Sequence, residues 1–353
     1  MSNTITADEF TSITTRQKQL NFENAKHVEV DQQVLDAMPK GTKILSVTPS
    51  GASAWVHSVC IEACLPDGAK KLYFLKYQTG QLGRRIFEGT FESEKIFHEY
   101  LPEHVPKPHA WGEYQSEPDN WFYLCDFHDM VDEVPAVDRF VSIVARVHQN
   151  SMGKKDRYGF HVPTHLANIP NDNSWQSSWE TFFAQLMIRM FEIEGEAHDQ
   201  DEKLEELKEG MLGKVIPRLL RPLETGGRSI RPCLVHSDLW PGNCMPDADT
   251  DEIMLFDSCA YWGHNESDLG SWRAPRYRMG KPYLREYQRV MGISEPRRDW
   301  DDRNALYAVR YDLLISALYP RSAHGLRFRD LAKQEMNRLI DKHPLGFEGF
   351  KDD

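Results

Sequence analysis

The chain has 353 residues, of which 40% are hydrophobic and 11% aromatic, so it can bury the core of two lobes and is not intrinsically disordered. Its 54 acidic and 42 basic side chains give a formal net charge of −12, which argues against nucleic-acid binding because nucleic-acid-binding proteins carry a basic excess. No apolar run reaches the about 20 residues of a membrane-spanning helix, and the first residues lack the basic and apolar parts of a secretory signal. The six cysteines follow no zinc or disulfide spacing. We therefore expect a cytoplasmic protein with neither a membrane nor a nucleic acid as partner.

The first part of the chain predicts a small antiparallel sheet with one helix, preceded by a weakly patterned extension at 1–42. Five segments rich in β-branched and aromatic residues are typical of strands: 44–49, 55–64, 71–77, 110–114 and 121–127. Apolar residues spaced three and four apart between 84 and 101 predict a helix that ends before Pro102.

The rest of the chain predicts a larger, mostly helical body. Amphipathic patterns predict three helices: 136–149, 174–196 and 201–223. Asn173 or Ser174 would cap the second of them. The pattern changes near Asp129 and so divides the chain into an amino-terminal lobe at 1–128 and a carboxy-terminal lobe at 129–353.

Residues 232–270 carry the most informative motif. An apolar strand leads into the tripeptide His-Ser-Asp at 236–238, Asn243 follows five residues later, and a second apolar strand ends at Asp257. The pattern H-x-D-x-x-x-x-N, followed by a strand that delivers Asp, is typical of phosphoryl-transfer sites.

The residue types at these positions fit that chemistry. Mg²⁺ prefers carboxylate and carbonyl oxygens, which Asn243 and Asp257 can supply. Asp238 is placed to accept the proton of an attacking hydroxyl group, and His236 to brace the loop on the acceptor side. Asp and Asn also favour turns for local reasons, so each residue alone is weak support. Their combination between two apolar strands favours a nucleotide–metal site.

The first lobe contains the candidates for nucleotide binding. Lys76 ends an apolar strand and could reach the α- and β-phosphates, although a lone strand lysine is usually solvated. The turn Ser50–Ser53 could cover the phosphates through its backbone N–H groups, but Gly51 is its single glycine. Backbone groups of Asp126 and His128, at the predicted lobe boundary, could hydrogen-bond the edge of adenine.

Two blocks of the sequence match a known pattern. Residues 234–243 read LVHSDLWPGN, and residues 256–269 read FDSCAYWGHNESDL. They resemble the blocks L-x-H-G-D-L-W-x-G-N and D-P-A-x-Y-Y-G-x-x-E-x-x-L of the fructosamine kinase (ketosamine 3-kinase) family, within the aminoglycoside-phosphotransferase branch of the protein-kinase-like fold. Shorter matches lie at 87–89, 159–161 and 179–183. The resemblance covers most of the chain, and the insertions around it resemble those of fungal members.

The resemblance implies an α+β, bilobal protein-kinase-like fold and transfer of the ATP γ-phosphoryl group to a sugar hydroxyl of a ketosamine, typically O3 of a fructosamine. ATP and Mg²⁺ would be the cofactors. By position, Asp238 would be the base, Asn243 and Asp257 the Mg²⁺ ligands, and Lys76 the lysine that binds phosphates. Trp240 lies beside the base and could pack its face on the sugar ring, or it could belong to the core.

Three positions depart from the family pattern. Ser237 stands where the family has Gly, from which we expect little harm. Ser258 stands where the family has Pro after the metal-binding Asp. This change should alter the stiffness of the loop more than the coordination of Mg²⁺. Thr90 stands where the family helix has the Glu that pairs with the strand lysine. Glu94, one helical turn further along, is the nearest substitute; without such a pair Lys76 would be poorly positioned and turnover would fall about a hundredfold or more.

Three functions are compatible with these observations. The intact charged and polar residues favour an ATP- and Mg²⁺-dependent kinase that acts on a small-molecule ketosamine or on a glycated amine or protein. The motifs do not define the acceptor pocket, so a kinase for another amino sugar or metabolite is the second hypothesis. Thr90 and the turn with a single glycine motivate the third, a nucleotide-binding pseudokinase without turnover.

Overall fold

The computed structural model describes residues 30–51, 55–273 and 279–352. Most of the predicted extension, and Ala52 and Ser53 of the predicted phosphate-covering turn, lie outside the described residues. The chain divides into two compact units. The first consists of Met1–Val131 and Pro246–Phe256, and the second of Asp132–Met245 and Asp257–Asp353.

Regular elements follow one another closely along the described residues. Those up to residue 131 are α1 (Gln32–Asp36), β1 (Lys43–Pro49), β2 (His57–Cys64), β3 (Lys70–Thr79), α2 (Gly80–Tyr100), β4 (Pro108–Glu113) and β5 (Asn120–Asp126). Those after it are α3 (Val137–Ser151), β6 (His165–Leu166), β7 (Ile169–Pro170), α4 (Trp179–Ala197), α5 (Glu202–Gly210), α6 (Ile216–Leu220), β8 (Cys233–Val235), β9 (Cys244–Pro246), β10 (Ile253–Leu255), β11 (Tyr261–Gly263), α7 (Lys281–Met291), α8 (Trp300–Leu318) and α9 (Ala323–Lys342). None of the helices within the described ranges combines the length and the apolar composition needed to cross a membrane.

The first unit is built on a five-stranded antiparallel sheet in the order β1-β2-β3-β5-β4. Successive side chains of a strand point to opposite faces, so each strand contributes to two different cores. One face packs with α1 in a buried cluster: Val34, Met38, Val59, Ile61, Ala63, Tyr73, Leu75, Phe122 and Leu124. The opposite face packs with α2 in a second cluster that includes Phe87, Tyr123 and Cys125.

Main-chain and side-chain hydrogen bonds attach the second segment of the first unit, Pro246–Phe256, to its first segment. The Leu255 N–H donates to the carbonyl of His104 at 2.7 Å, and the His104 ring Nδ1 lies 3.0 Å from the carbonyl oxygen of Ile253. At its other end, the Val131 N–H donates to the carbonyl of Pro246 at 2.9 Å. Residues that are far apart in the chain therefore complete one folding unit.

The second unit is helical and packs around a fully buried tryptophan. Trp179, at the start of α4, has no exposed surface, and its Nε1–H donates to the hydroxyl of Tyr307 at 2.9 Å. The rings of Phe183 and Tyr261 also lie within stacking distance of this indole. β8 pairs with β11 in a short antiparallel ladder, with Val235 opposite Tyr261.

Two predicted helices of this unit differ from the observed ones. α4 begins at Trp179, and Ser178 caps it by accepting a hydrogen bond from the Thr181 N–H. The predicted cap at Asn173 or Ser174 was wrong, because the Asn173 amide instead donates to the hydroxyl of Thr164 at 2.8 Å.

The helix predicted at 201–223 changes type along its length. α5 begins after Asp201, whose side chain accepts from the Leu204 N–H, and it is followed by a π-helical turn at Met211–Val215. Pro217 lies just beyond this turn and has no N–H to donate to an earlier carbonyl group. The wider π-helical turn accommodates the hydrogen bond that Pro217 cannot donate, and regular α-helix continues as α6.

Candidate active site

The loop at 236–243 begins where the buried strand β8 ends. His236 is 1% exposed and Ser237 fully buried, whereas the side chain of Asp238 is partly exposed. Ser237 has φ of 68°, in the left-handed region that non-glycine residues rarely adopt. This backbone turn brings the buried strand to an abrupt end and presents Asp238 at the surface of the second unit.

The carboxylate of Asp268 holds this turn through two main-chain N–H groups. Asp268 is 1% exposed, and its two carboxylate oxygens accept from the N–H of His236 at 2.9 Å and of Ser237 at 2.7 Å. The Nε2 of His148, which is fully buried on α3, lies 3.1 Å from the same carboxylate. Charge-assisted bonds of this kind are about twice as strong as neutral ones, so they fix the loop backbone in a single conformation.

Asn243 contacts Asp238 directly. Its Nδ2 donates to the Asp238 main-chain carbonyl at 3.0 Å and to Oδ2 of the carboxylate at 2.7 Å. Both partners are acceptors, so the orientation of the amide is fixed and its Oδ1 faces away from Asp238. The amide therefore restrains one carboxylate oxygen of Asp238 and presents its own oxygen for another ligand.

Asp257 opens the loop that follows β10. Like Ser237, it has a left-handed backbone, with φ of 57°, and its side chain is partly exposed. Two residues later, the Cys259 N–H donates to the carbonyl of His236 at 3.0 Å, which joins this loop to the loop that carries Asp238. Asp257 and Asn243 offer the hard oxygen donors that Mg²⁺ prefers, and Mg²⁺ in kinases takes further oxygens from nucleotide phosphates. The donor set of the second unit therefore fits Mg²⁺.

Trp240 and His236 occupy different environments. Trp240 is partly exposed, and its indole lies so close over Gly242 that a β-carbon there would fall 2.1 Å from the ring. Only glycine leaves room for this orientation of the indole. His236 is buried, and its Nδ1 accepts from the Asp238 N–H at 3.2 Å, so its ring contacts the loop rather than solvent.

Arg310 and Tyr311 on α8 also hold the loop. The Tyr311 hydroxyl donates to the Ser237 carbonyl at 2.9 Å, and Nη1 of Arg310 donates to the Ser237 hydroxyl at 3.1 Å. The motif at 232–270 gave no sign of either residue, because they lie 73 and 74 positions beyond Ser237. The pairing of a left-handed serine with a buried arginine could not have been found from spacing alone.

Lys76 lies in the first unit on β3, opposite Ser58 of β2 and Tyr123 of β5. It shares a sheet face with Phe74, and its Nζ lies 5.7 Å from the centre of the Phe74 ring. That face packs against α2, where Glu94 is only 2% exposed. A glutamate is rarely buried without a partner, and Glu94 lies two helical turns after Phe87, which packs on that face of the sheet.

The structure describes Ser50 and Gly51 of the predicted phosphate-covering turn. The Ser58 hydroxyl donates to the carbonyl of Ser50, and the Ser50 N–H donates back to the Ser58 carbonyl at 3.2 Å. Gly51 has φ of 73°, and a β-carbon there would approach the Ser58 hydroxyl to 3.2 Å. The positive φ therefore favours glycine at this position.

The side chains of Asp126 and His128 are both engaged. Burial would raise the pKa of Asp126, but hydrogen bonds from His109 and Lys71 outweigh it and bring the pKa to about 2. His128 places its Nδ1 2.8 Å from a carboxylate oxygen of Asp247. The Asp126 N–H donates to the carbonyl of Lys107 at 2.9 Å, so this main-chain donor is already used within the first unit.

Comparisons with known proteins identify the family of the chain. Residues 32–342 match the family model described as fructosamine kinase. The chain is 28% identical over 270 residues to "Protein-ribulosamine 3-kinase, chloroplastic" of Oryza sativa subsp. indica, covering 74% of this chain and 72% of the relative.

Solved structures show the fold. The crystal structure of a candidate fructosamine-3-kinase from Haemophilus somnus 129PT superposes with a TM-score of 0.64 at 16% identity, covering 94% of this chain and 99% of that chain. A ternary complex of the aminoglycoside phosphotransferase APH(4)-Ia with AMP-PNP and hygromycin B gives a TM-score of 0.57 at 12% identity, covering 89% and 98%. The predicted α+β, kinase-like fold is confirmed.

Proposed function

The chain belongs to the fructosamine kinase family, and from that premise we propose that this phosphotransferase moves the γ-phosphoryl group of ATP to a sugar hydroxyl of a ketosamine. The acceptor is a fructosamine or related ketosamine, carried by a small amine or by a protein lysine. The 3-kinase named among its relatives supports O3 as the hydroxyl that is phosphorylated.

One observation carries the proposal: the amide of Asn243 binds Oδ2 of Asp238 and leaves the other carboxylate oxygen without a bond from that amide. A carboxylate fixed in this way can accept a proton in one defined direction, as a general base must. The same amide turns its own oxygen away from Asp238, where it can serve as a ligand for Mg²⁺.

The reaction then follows from the chemistry of these groups. The acceptor hydroxyl forms a bond to the γ-phosphorus, the bond between that phosphorus and the β–γ bridging oxygen breaks, and ADP leaves. The proton of the hydroxyl passes to the carboxylate of Asp238. Mg²⁺ held by Asn243 and Asp257 would neutralise phosphate charge.

In the first unit we assign Lys76 to the α- and β-phosphates. The burial of Glu94 on the helix face next to β3 supports it as the acid that holds this lysine, in place of the Glu that the family has at Thr90. The main chain of Ser50 and Gly51 would cover the phosphates.

The remaining candidates would bind the adenine of the nucleotide and the sugar ring of the acceptor. The Asp126 carbonyl and the main chain of His128 would bind the adenine edge, since the Asp126 N–H is already used within the sheet. Trp240 presents a partly exposed indole that fits the face of a sugar ring, which carries C–H groups. His236, being buried, braces the loop.

The test is ADP release by the full chain with Mg-ATP and fructosyl-lysine. We expect acceptor-dependent release by the wild type and a loss of at least about a thousandfold in Asp238→Asn, because the amide cannot take up the proton. Asp341→Asn, the same change at an exposed carboxylate on α9, should leave release unchanged. Release that is independent of the acceptor, or that survives in Asp238→Asn, would overturn the proposal.

The acceptor itself is tested by a panel. A wild type that transfers phosphate to another amino sugar or metabolite, but not to fructosyl-lysine, would keep the kinase and replace the substrate. A wild type that shows a thermal shift with Mg-ATP but transfers phosphate to no acceptor would be a pseudokinase.

A further inference from the structure

We infer that Arg310 is a positioning residue: its guanidinium holds the hydroxyl of Ser237 and thereby keeps the residue before Asp238 in its left-handed conformation. The inference rests on the proposed function, because its consequence is the orientation of Asp238 as the base. It assigns a role to a serine that the motif alone presents as a neutral replacement for glycine.

The backbone of Ser237 needs such an anchor. At φ of 68° an L-residue other than glycine is strained, because its β-carbon lies too close to the carbonyl oxygen. Ser237 is fully buried, and the structure engages each of its three polar groups: the N–H by Asp268, the carbonyl by Tyr311 and the hydroxyl by Arg310. A strained conformation persists where surrounding contacts determine it in this way.

Arg310 is suited to act as the anchor because it is itself fixed. It is 2% exposed, Nη2 donates to Oδ1 of Asn171 at 2.6 Å, and the guanidinium lies 5.7 Å from the centre of the Tyr311 ring. Asn171 in turn donates to the hydroxyl of Thr164 at 3.1 Å. The planar fork of the guanidinium thus joins the loop to a buried polar network through two nitrogens.

The charge of Arg310 has no carboxylate partner in a direct ion pair within the described residues. A buried cation that lacks a direct ion pair is costly, and the bonds to Ser237 and Asn171 compensate part of that cost.

A double-mutant cycle between the two residues tests the inference, with the full chain, Mg-ATP and fructosyl-lysine. Arg310→Met should lower kcat about tenfold while the KM for ATP stays constant, because a smaller fraction of the enzyme molecules has the loop in its active conformation. In the Ser237→Gly background the same change should lower kcat no more than about twofold, because glycine adopts a positive φ without the hydroxyl anchor. Equal effects in the two backgrounds would overturn the inference.

A second pair of variants leaves Arg310 intact in case its replacement prevents folding. Ser237→Ala removes the hydroxyl and keeps the β-carbon, so it should lower kcat about tenfold, whereas Ser237→Gly should lower it less than about threefold. An alanine variant as active as the glycine variant would overturn the inference.

The control is Arg218→Met, which removes another buried arginine of the second unit, one that Asp299 binds at 2.7 Å. It should lower the unfolding temperature without lowering kcat. The control therefore separates the general effect of losing a buried arginine from the specific effect on the loop before Asp238. A wild type without phosphoryl transfer overturns the proposed function and, with it, the positioning role. An active wild type with equal effects in the cycle overturns the positioning role alone.

Discussion

The two units position their functional candidates in different ways. In the first unit, strand register sets the place of Lys76, and the spacing of one helix sets that of Glu94. In the second unit, the turn before Asp238 is held by Asp268 and Arg310, which lie 31 and 73 positions away from Ser237. Secondary structure is sufficient for the first arrangement, whereas the second depends on side chains that only the folded chain brings together.

The largest effect is expected where the second unit depends on a distant residue. Asp268→Asn leaves one carboxamide oxygen for the two N–H groups of His236 and Ser237, so one buried donor faces an amide nitrogen. We expect kcat to fall about a thousandfold, equivalent to about 4 kcal/mol.

The control for this prediction is another buried acid of the same unit. Asp299→Asn weakens the pair with Arg218 and should lower the unfolding temperature while kcat is kept. A folded Asp268→Asn protein with wild-type kcat would contradict the view that the loop depends on its distant acid.

A smaller effect is expected in the first unit, where local spacing sets the positions. Glu94→Gln removes the charge of the buried acid on α2, and we expect kcat to fall about thirtyfold, equivalent to about 2 kcal/mol. Glu88→Gln changes a less buried acid of the same helix and should leave kcat unchanged. Steady-state kinetics of both variants decide the point, and equal kcat values for the two would remove Glu94 from the site.

The last effect concerns stability rather than turnover and arises in the buried network of the second unit. Burial lowers the pKa of His264 from its usual 6.5 to about 4, although Glu266 opposes this shift. The unfolded chain takes up a proton near pH 6.5, whereas the folded chain does so only near pH 4. The stability associated with the neutral ring is therefore complete above pH 6.5 and falls progressively between pH 6.5 and 4.

We expect the free energy of unfolding in urea to be about 2 kcal/mol lower at pH 5 than at pH 7 from this residue. His264→Gln, which retains hydrogen-bonding groups towards Tyr307 and Ser294, should lose this part of the pH dependence. An unchanged pH dependence in His264→Gln would assign it to other groups.

The same contrast explains how far the sequence could predict the structure. Alternating and helical spacing located the strands around Lys76 and the helix that carries Glu94, because those elements depend on residues close together in the chain. The motif indicated Asp238, Asn243 and Asp257 as candidates for the same reason. It could not reveal that Arg310 binds Ser237, since nothing near either residue encodes the contact.

The errors have a similar origin. Asn173 has the chemistry of a helix cap, but Thr164 recruits its side chain and the helix starts five residues after Ser174. Pro217 changed the hydrogen bonding of a helix whose hydrophobic pattern continued without interruption. A contact with a distant residue overrode the local preference in the first case, and a missing N–H donor overrode it in the second.

The divided first unit has a consequence for how the protein is made. Its first segment ends at Val131, and Phe256, which completes it, follows 125 residues later. A ribosome that adds ~5–20 residues per second needs about 6 to 25 s for that stretch. Until Asp247 and Leu255 are added, near the end of this interval, the His128 ring and the His104 carbonyl lack the groups that they bind in the finished fold. The first unit is thus the first to begin synthesis and not the first to be complete, so its unfinished surface is exposed to chaperones and proteases while the second unit is still being translated.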